Sequence, residues 1–162
     1  MSFSENSSKT IFEVFTDGGC LGNPGIGGWA YHINVVHGSF VGNWPLEGYG
    51  VVELTTNNRM ELLSVIKGLS ILKTLIGAME AHVLVLTDST YVKNGITDWI
   101  NKWRNNGWIT ANKKSVKNKE LWLELDALVT KLDISFDWVK GHSGHLGNER
   151  CHDLVQLAIT SK

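Results

Sequence analysis

Cysteine is nearly absent. Cys20 and Cys151 are the only two among 162 residues, too few for a disulfide framework and in keeping with a reducing compartment. Long apolar runs are missing as well. Nothing approaches the roughly 20 uninterrupted apolar residues that span a bilayer, and the opening MSFSENSSK has no apolar stretch of signal-peptide length. Neither sign of charge prevails: 15 Lys and Arg stand against 16 Asp and Glu, a formal charge of -1. Any contact with nucleic acid must therefore come from local clusters and not from a basic protein as a whole. Internal repeats and low-complexity tracts are lacking too. What remains is 43% hydrophobic, which suits one compact domain with a sizeable core. The expectation is a cytoplasmic monomer without membrane contact, residues 1–9 forming a flexible polar segment and 10–162 a single domain.

Three carboxylates stand out because folding alone does not call for acids where they lie: Asp17 in FTDGG, Glu61 in NNRMEL and Asp88 in VLTDST. Asp17 closes the apolar block 11–16 and Asp88 closes 83–87, both strand-like and bounded by Gly or Ser. A near-continuous apolar strand is usually interior. Stripping water from an ionised carboxylate is costly, and clustered like charges protonate instead of coexisting. A divalent cation removes both difficulties, and hard Mg²⁺ favours carboxylate oxygens drawn from separate elements. Each Asp also has a purely local reading, Asp88-Ser89 as a helix N-cap and Asp17-Gly18-Gly19 as a turn.

Periodicity places these acids on elements. After the first strand and a turn over Cys20-Leu21-Gly22-Asn23-Pro24-Gly25, residues 29–36 and 51–55 read as strands, with Pro45 interrupting the pairing between them. Leu62, Val65, Ile66, Leu69, Leu72 and Ile76 share one helical face, capped by Asn57 or Asn58, with Glu61 at its margin. Strand 83–87 follows, then a helix with Val92, Ile96, Trp99, Ile100 and Trp103 on one side and a break at Asn105-Asn106-Gly107. A further helix carries Leu121, Leu125, Leu128 and Val129, residues 134–139 form a last strand, and Cys151, Leu154, Val155 and Ala158 stripe a C-terminal helix. Strands first and alternating helices and strands afterwards predict a mixed sheet, antiparallel early and parallel late. Ligands of such sheets lie beyond the carboxyl ends of the parallel strands, where Asp88 falls.

The ordered blocks TDGGCLGNPGIGGWA, TTNNRMELL, LTDSTYV, VKN and WVKGHSGHLGNERC resemble the type 1 ribonuclease H family over nearly the whole chain. The resemblance implies an α/β ribonuclease H-like fold, a five-stranded mixed sheet flanked by helices. It implies an endonuclease that hydrolyses the RNA strand of RNA–DNA hybrids with Mg²⁺ or Mn²⁺, two ions with substrate bound, leaving 5′-phosphate and 3′-hydroxyl ends. Asp17, Glu61 and Asp88 match three catalytic metal ligands of the family, and His142 its mobile catalytic-loop histidine. In a two-metal displacement one cation lowers the pKa of the attacking water and the other stabilises the departing oxygen. His142, between Gly141 and Ser143-Gly144, suits proton relay near neutrality, although a surface histidine would look the same. Cys20 through its backbone, Asn23, Asn57 and Asn58 match minor-groove contacts, which must read the 2′-hydroxyl; turn or cap chemistry would also use these asparagines. Thr56 and Asn118 match positions near DNA phosphates. Residues 99–122 resemble the family's basic protrusion, with Lys102, Arg104, Lys113, Lys114, Lys117 and Lys119 among Trp103 and Trp108. Trp99 and Trp122 read better as helix core.

One departure concerns the fourth acid of the family, which usually follows the position of Cys151. Here His152 occupies that place and Asp153 comes next. At about 100° per residue, the apolar stripe leaves His152 at its margin and turns Asp153 to solvent. His152 is therefore the expected fourth metal-site residue, an imidazole that suits Mn²⁺ better than Mg²⁺. A zinc site from His142, His145, Cys151 and His152 lacks the recurrent paired spacing of structural zinc, and Cys151 belongs to the apolar stripe. The alternative function is a hybrid-binding protein that lost catalysis with the fourth acid; the retained Asp17, Glu61, Asp88 and His142 argue against it. Another nuclease of the superfamily is disfavoured by TTNNRMEL and the tryptophan-rich protrusion.

Overall fold

The chain enters its sheet at the centre. In a computed structural model that describes residues 9–141 and 144–161, β1 (Thr10–Leu21) pairs antiparallel with β2 (Gly25–His37) and parallel with β4 (Ala81–Thr87). β3 (Leu46–Thr55) lies antiparallel outside β2, and β5 (Ile134–Trp138) lies parallel outside β4, giving the order β3-β2-β1-β4-β5. The expected five-stranded mixed sheet flanked by helices is what forms, with both parallel pairs reached through helical crossovers. These are α1 (Asn57–Ile76) and the run α2 (Thr90–Asn94), a π-helical turn (Gly95–Trp99), α3 (Ile100–Asn106) and α4 (Lys119–Val129). The C-terminal helix is α5 (Leu146–Thr160). The expected flexible segment falls almost wholly on residues 1–8, outside the described residues.

Two apolar layers hold the sheet. On one face Phe12, Val14, Ile33, Val83 and Val85 meet Leu62, Val65 and Leu69 of α1 and Trp122 and Leu125 of α4. On the other, Phe15 and Ala30 meet Cys151, Leu154 and Val155 of α5. The stripe foreseen for α5 is the buried one: Cys151, Leu154, Val155 and Ala158 are each at most 4% exposed.

Several boundaries differ from the sequence reading. β1 continues to Leu21, because pairing with β2 runs through Cys20↔Gly27 and Leu21↔Ile26, which moves the turn to residues 22–24. β3 starts at Leu46 and not at residue 51. Its two glycines, poor strand formers, are there for their neighbours: a Cβ at Gly48 would lie 2.4 Å from the Tyr31 ring, and one at Gly50 2.6 Å from that of Trp29. Those two rings, next but one on β2, stack with centroids 6.2 Å apart over the β3 glycines. The cap of α1 is Thr56, whose Oγ1 accepts from Arg59 N at 3.3 Å, and neither Asn57 nor Asn58. The stripe read over residues 92–103 is broken by the π turn, which leaves Val92, Gly95 and Ile100 buried and Ile96, Trp99 and Trp103 half-buried.

β1 and α1 touch backbone to backbone. A Cβ on Gly18 would lie 2.3 Å from the carbonyl carbon of Met60 and 2.6 Å from Glu61 N, so Gly18 is what lets Asp17 and Glu61 approach. At Gly19 the nearest atom, Val155 Cγ1, is an ordinary 3.8 Å away. Gly18→Ala should therefore destabilise the fold by about 1–3 kcal/mol, the scale of overpacking, visible as a lower melting temperature. Gly19→Ala is the control, and equal melting of the two variants would contradict the close approach.

Candidate active site

Asp17 lies inside β1, paired with Ala30, and is 7% exposed. A strand position disposes of its reading as a turn residue. Asp88 directly follows β4, and the cap of α2 is its neighbour: Ser89 Oγ accepts from Val92 N at 3.2 Å. Asp88 is thus not spent on capping. Glu61 comes from the early part of α1, beside buried Met60. One ligand oxygen from each of the three acids lies within 4.8 Å of the others.

Two unit charges at that separation repel by about 3 kcal/mol at an effective dielectric near 20. Glu61 bears most of the strain. Its Oε2 is shut off from solvent and has no hydrogen-bond partner. Burial, then the charges of Asp17 and Asp88, push its carboxyl well above the usual carboxylate range, although the Gly18 N–H donated to it pulls the other way. A buried, unpartnered carboxylate oxygen facing two further acids fits a hard divalent cation, whose ligands are oxygens of this kind.

His152 turns towards these acids, with Nδ1 3.5 Å from Asp17 Oδ2, whereas Asp153 is exposed. Cys151, directly before them, is a core residue: its Sγ donates to Phe15 O at 3.3 Å, and burial raises its thiol far above the usual range. Buried in the apolar layer against β1, it is packed as core and not as a zinc ligand. His142 lies outside the described residues. Its loop begins against the acids, for a Cβ on Gly141 would sit 3.0 Å from Asp88 Oδ2. Val139 N donates to Thr87 O at 2.9 Å and Trp138 Nε1 to Asp88 O at 3.0 Å, tying the loop's start to the end of β4.

The matched substrate residues form two groups. Cys20 Sγ donates to Thr55 O at 3.2 Å, and Asn23 Oδ1 accepts from Asn57 N at 3.1 Å, so the β1–β2 turn is tied to the start of α1. Asn23, Thr56 and Asn58, with Pro24 and Lys117, line a polar cavity of about 200 Å³. In the second group Trp103 stacks obliquely on Trp108 with centroids 5.7 Å apart. Trp103 also lines a 340 Å³ cavity with Tyr91, Trp99, Thr110, Val116 and Lys117. Asn118 stands between the groups: its Oδ1 accepts from Arg59 Nη1 at 3.2 Å, and its Nδ2 donates to the Tyr91 hydroxyl at 3.1 Å. Trp122 is core, fully buried, as read from sequence; Trp99 is only half-buried.

Sequence reasoning missed Arg59 and Tyr91, which hold Asn118 in place, and Lys117's position on both cavities. A cation one residue before MEL was the available signal for Arg59. It also counted two cations as free for nucleic acid that have partners here: Arg104 pairs with Asp126, and Lys102 Nζ lies 3.4 Å from Asp98. Among the described residues Lys113, Lys114, Lys117 and Lys119 make no ion pair.

The raised pKa of Glu61 has a definite sign in stability. Between the ordinary carboxylate value and the raised one, the metal-free folded state binds a proton that the unfolded state does not, so stability falls as pH rises through that window. Gln cannot lose a proton. Glu61→Gln should raise the melting temperature in EDTA above that window's lower edge, the gain growing with pH and then levelling. Saturating Mn²⁺ should reverse the order, because the cation stabilises only the site that binds it. A pH-independent gain in EDTA would contradict the buried charge.

A ribonuclease H family model matches residues 9–160 of the chain. The ribonuclease H of Wolbachia sp. subsp. Drosophila simulans (strain wRi) is 49% identical over 152 residues, covering 94% of this chain and 97% of that protein. The ribonuclease HI of Neisseria meningitidis serogroup B (strain ATCC BAA-335 / MC58) is 48% identical over 148 residues, 91% of this chain and 94% of its own. Among solved structures, LC9-RNase H1, a type 1 RNase H with the type 2 active-site motif, superposes with a TM-score of 0.82 at 29% identity, over 94% of this chain and 74% of that one. Sheet order, acidic cluster and these matches lead to one conclusion: the chain belongs to the ribonuclease H family.

Proposed function

We propose that Asp17, Glu61 and Asp88 hold divalent cations, Mg²⁺ or Mn²⁺, two of them with substrate bound, at the point where the RNA strand of an RNA–DNA hybrid is cut. The observation that carries this reading is the cluster itself, one oxygen of each acid within 4.8 Å of the others, in which Glu61 Oε2 is solvent-shielded and has no hydrogen-bond partner among the described residues. Bound there, the cations would supply an activated water and stabilisation of the leaving 3′ oxygen, so that 5′-phosphate and 3′-hydroxyl ends result. The chain's own residues do the rest. The three acids fix the ions against rigid strand and helix backbone, and Gly18 keeps that backbone close. His152 takes the fourth place beside Asp17 and tunes the ions without adding negative charge. His142 relays protons from the loop that follows β5, whose Gly141 lies against Asp88.

The hybrid lies across the two cavities. Asn23, Asn57, Asn58 and the backbone at Cys20 read ribose hydroxyls in the minor groove, since an amide both donates and accepts. Thr56 and Asn118 meet DNA phosphates, with Arg59 and Tyr91 setting the Asn118 amide. Trp103 and Trp108 receive the DNA strand, and Lys113, Lys114, Lys117 and Lys119 supply the positive field. Residues 10–162 act as one domain and as a monomer in the cytoplasm. No helix among the described residues is long and apolar enough to cross a membrane.

A uniform RNA–DNA hybrid beside the matching RNA and DNA duplexes, each with Mg²⁺ or Mn²⁺, tests the reading. Internal cleavage of the hybrid's RNA strand alone is expected, and Asp88→Asn should slow it by about 10³-fold or more. Equal cutting of duplex DNA would defeat the assignment, and binding without cleavage would favour a hybrid-binding protein. In the same assay Lys113→Ala and Lys114→Ala should weaken affinity and flatten its salt dependence, each lost phosphate contact lowering the log–log slope by about 0.9. Arg104→Ala should leave that slope unchanged, its guanidinium being held by Asp126.

A further inference from the structure

One charged network lies outside the acidic cluster and is used by nothing described so far. Arg150 of α5 donates to Glu47 of β3 through both arms, Nε to Oε2 at 2.9 Å and Nη2 to Oε1 at 3.1 Å. His32 of β2, the cross-strand neighbour of Glu47, brings Nδ1 to the same Oε2 at 2.8 Å. Arg150, then His32, hold the Glu47 carboxyl below the usual range despite its partial burial. A two-armed guanidinium–carboxylate pair fixes direction as well as distance.

The direction matters because of where Arg150 sits on α5. At about 100° per residue, Cys151 points into the sheet, where its Sγ meets Phe15 O, while Arg150 and His152 leave the helix on opposite flanks. Arg150 is tied towards β3 and His152 lies 3.5 Å from Asp17 of β1. The buried stripe of Cys151, Leu154, Val155 and Ala158 sets which face of the helix meets the sheet, but apolar packing is non-directional and does not by itself fix the fine roll of the helix about its own axis. The tether on one flank does, and the roll decides how far the opposite flank lies from Asp17.

We infer that Glu47 is a positioning residue of the active site: through Arg150 it sets the roll of α5 and with it the approach of His152 to Asp17. The consequence for metal binding rests on the reading of His152 as a metal-site residue given above. Positioning itself does not, and the two can be separated. Outer partners of a metal site commonly contribute 10- to 100-fold in affinity.

The test uses the full chain. Glu47→Ala and Arg150→Ala, with Glu47→Gln as the milder variant should the alanine change impair folding, are compared with wild type in two ways. In the metal-free protein, the ring resonances of His152, assigned by their loss in His152→Ala, should shift in each variant, and the double variant Glu47→Ala/Arg150→Ala should shift them no further than either single change. Calorimetric titration should show Mn²⁺ binding weakened by roughly 10-fold, and this loss should vanish when His152 is already Ala. Unmoved His152 resonances in a folded Glu47 variant would overturn the proposal, and so would an equal loss of Mn²⁺ affinity in the His152→Ala background. Shifted resonances with Mn²⁺ affinity indifferent to His152→Ala would uphold the positioning role and remove His152 from the metal site.

Discussion

Repulsion among three carboxylates is the constraint on which the site depends. Asp17, Glu61 and Asp88 come within 4.8 Å of one another, and left to themselves the side chains would move apart into water. They cannot, because each is mounted on a different part of one packed unit. Asp17, inside β1, and Asp88, directly after β4, both follow the last parallel pair Thr16↔Thr87, and Glu61 is on α1, whose Leu62, Val65 and Leu69 are locked over the same strands. The apolar layer therefore holds the charges together, at the cost of a buried carboxyl, Glu61, whose pKa is pushed well above the usual range. A site strained in this way is prepared for an ion of opposite charge.

The same arrangement explains why the surroundings are so firmly tied. The β1–β2 turn is linked to α1 by the Asn23–Asn57 bond, the segment after β5 to Thr87 and Asp88 by Val139 and Trp138, and α5 to the sheet edge by Arg150 and Glu47. Each tie brings a loop or helix end to the acidic centre from a separate direction. On the far side, Asn118, Arg59 and Tyr91 lock the protrusion to α1, so the aromatic cavity and the polar cavity, both bordered by Lys117, keep a fixed relation to the acids. A ribonuclease H has to bring a phosphodiester bond to the acidic centre while holding a duplex along its surface, and this set of ties gives both functions one frame.

Features carried by near neighbours in sequence were legible. The alternation of Ala81, Val83, Val85 and Thr87, the apolar stripe of α1 and the Cys151 stripe of α5 declare their elements locally, and those elements bring Asp17, Glu61, Asp88 and His152 together. Wherever a distant partner decides, the reading fell short. Gly48 and Gly50 look like strand breakers until the rings of Tyr31 and Trp29 are placed above them. The π turn is set by Gly95 meeting Trp122, where a Cβ would lie 1.9 Å from the indole. Thr56 and not Asn57 caps α1, while Asn57 N donates to Asn23, 34 positions away in sequence. Arg104 looked like a phosphate ligand because Asp126 lies 22 positions away in sequence, and Glu47 drew no reading at all, its partner Arg150 lying 103 positions away.

The central claim is that the fold forces these acids together ahead of any cation, so that Glu61 keeps its proton to higher pH than an ordinary carboxylate and a metal must displace it there. Calorimetric titration of the metal-free protein with Mn²⁺, repeated in buffers of differing ionisation enthalpy and over a series of pH values, counts that proton directly. Proton release should accompany binding on the acid side of Glu61's raised pKa and fade as pH rises through it. Mn²⁺ binding that releases no proton anywhere in the series would mean that the three carboxylates are not held against their repulsion.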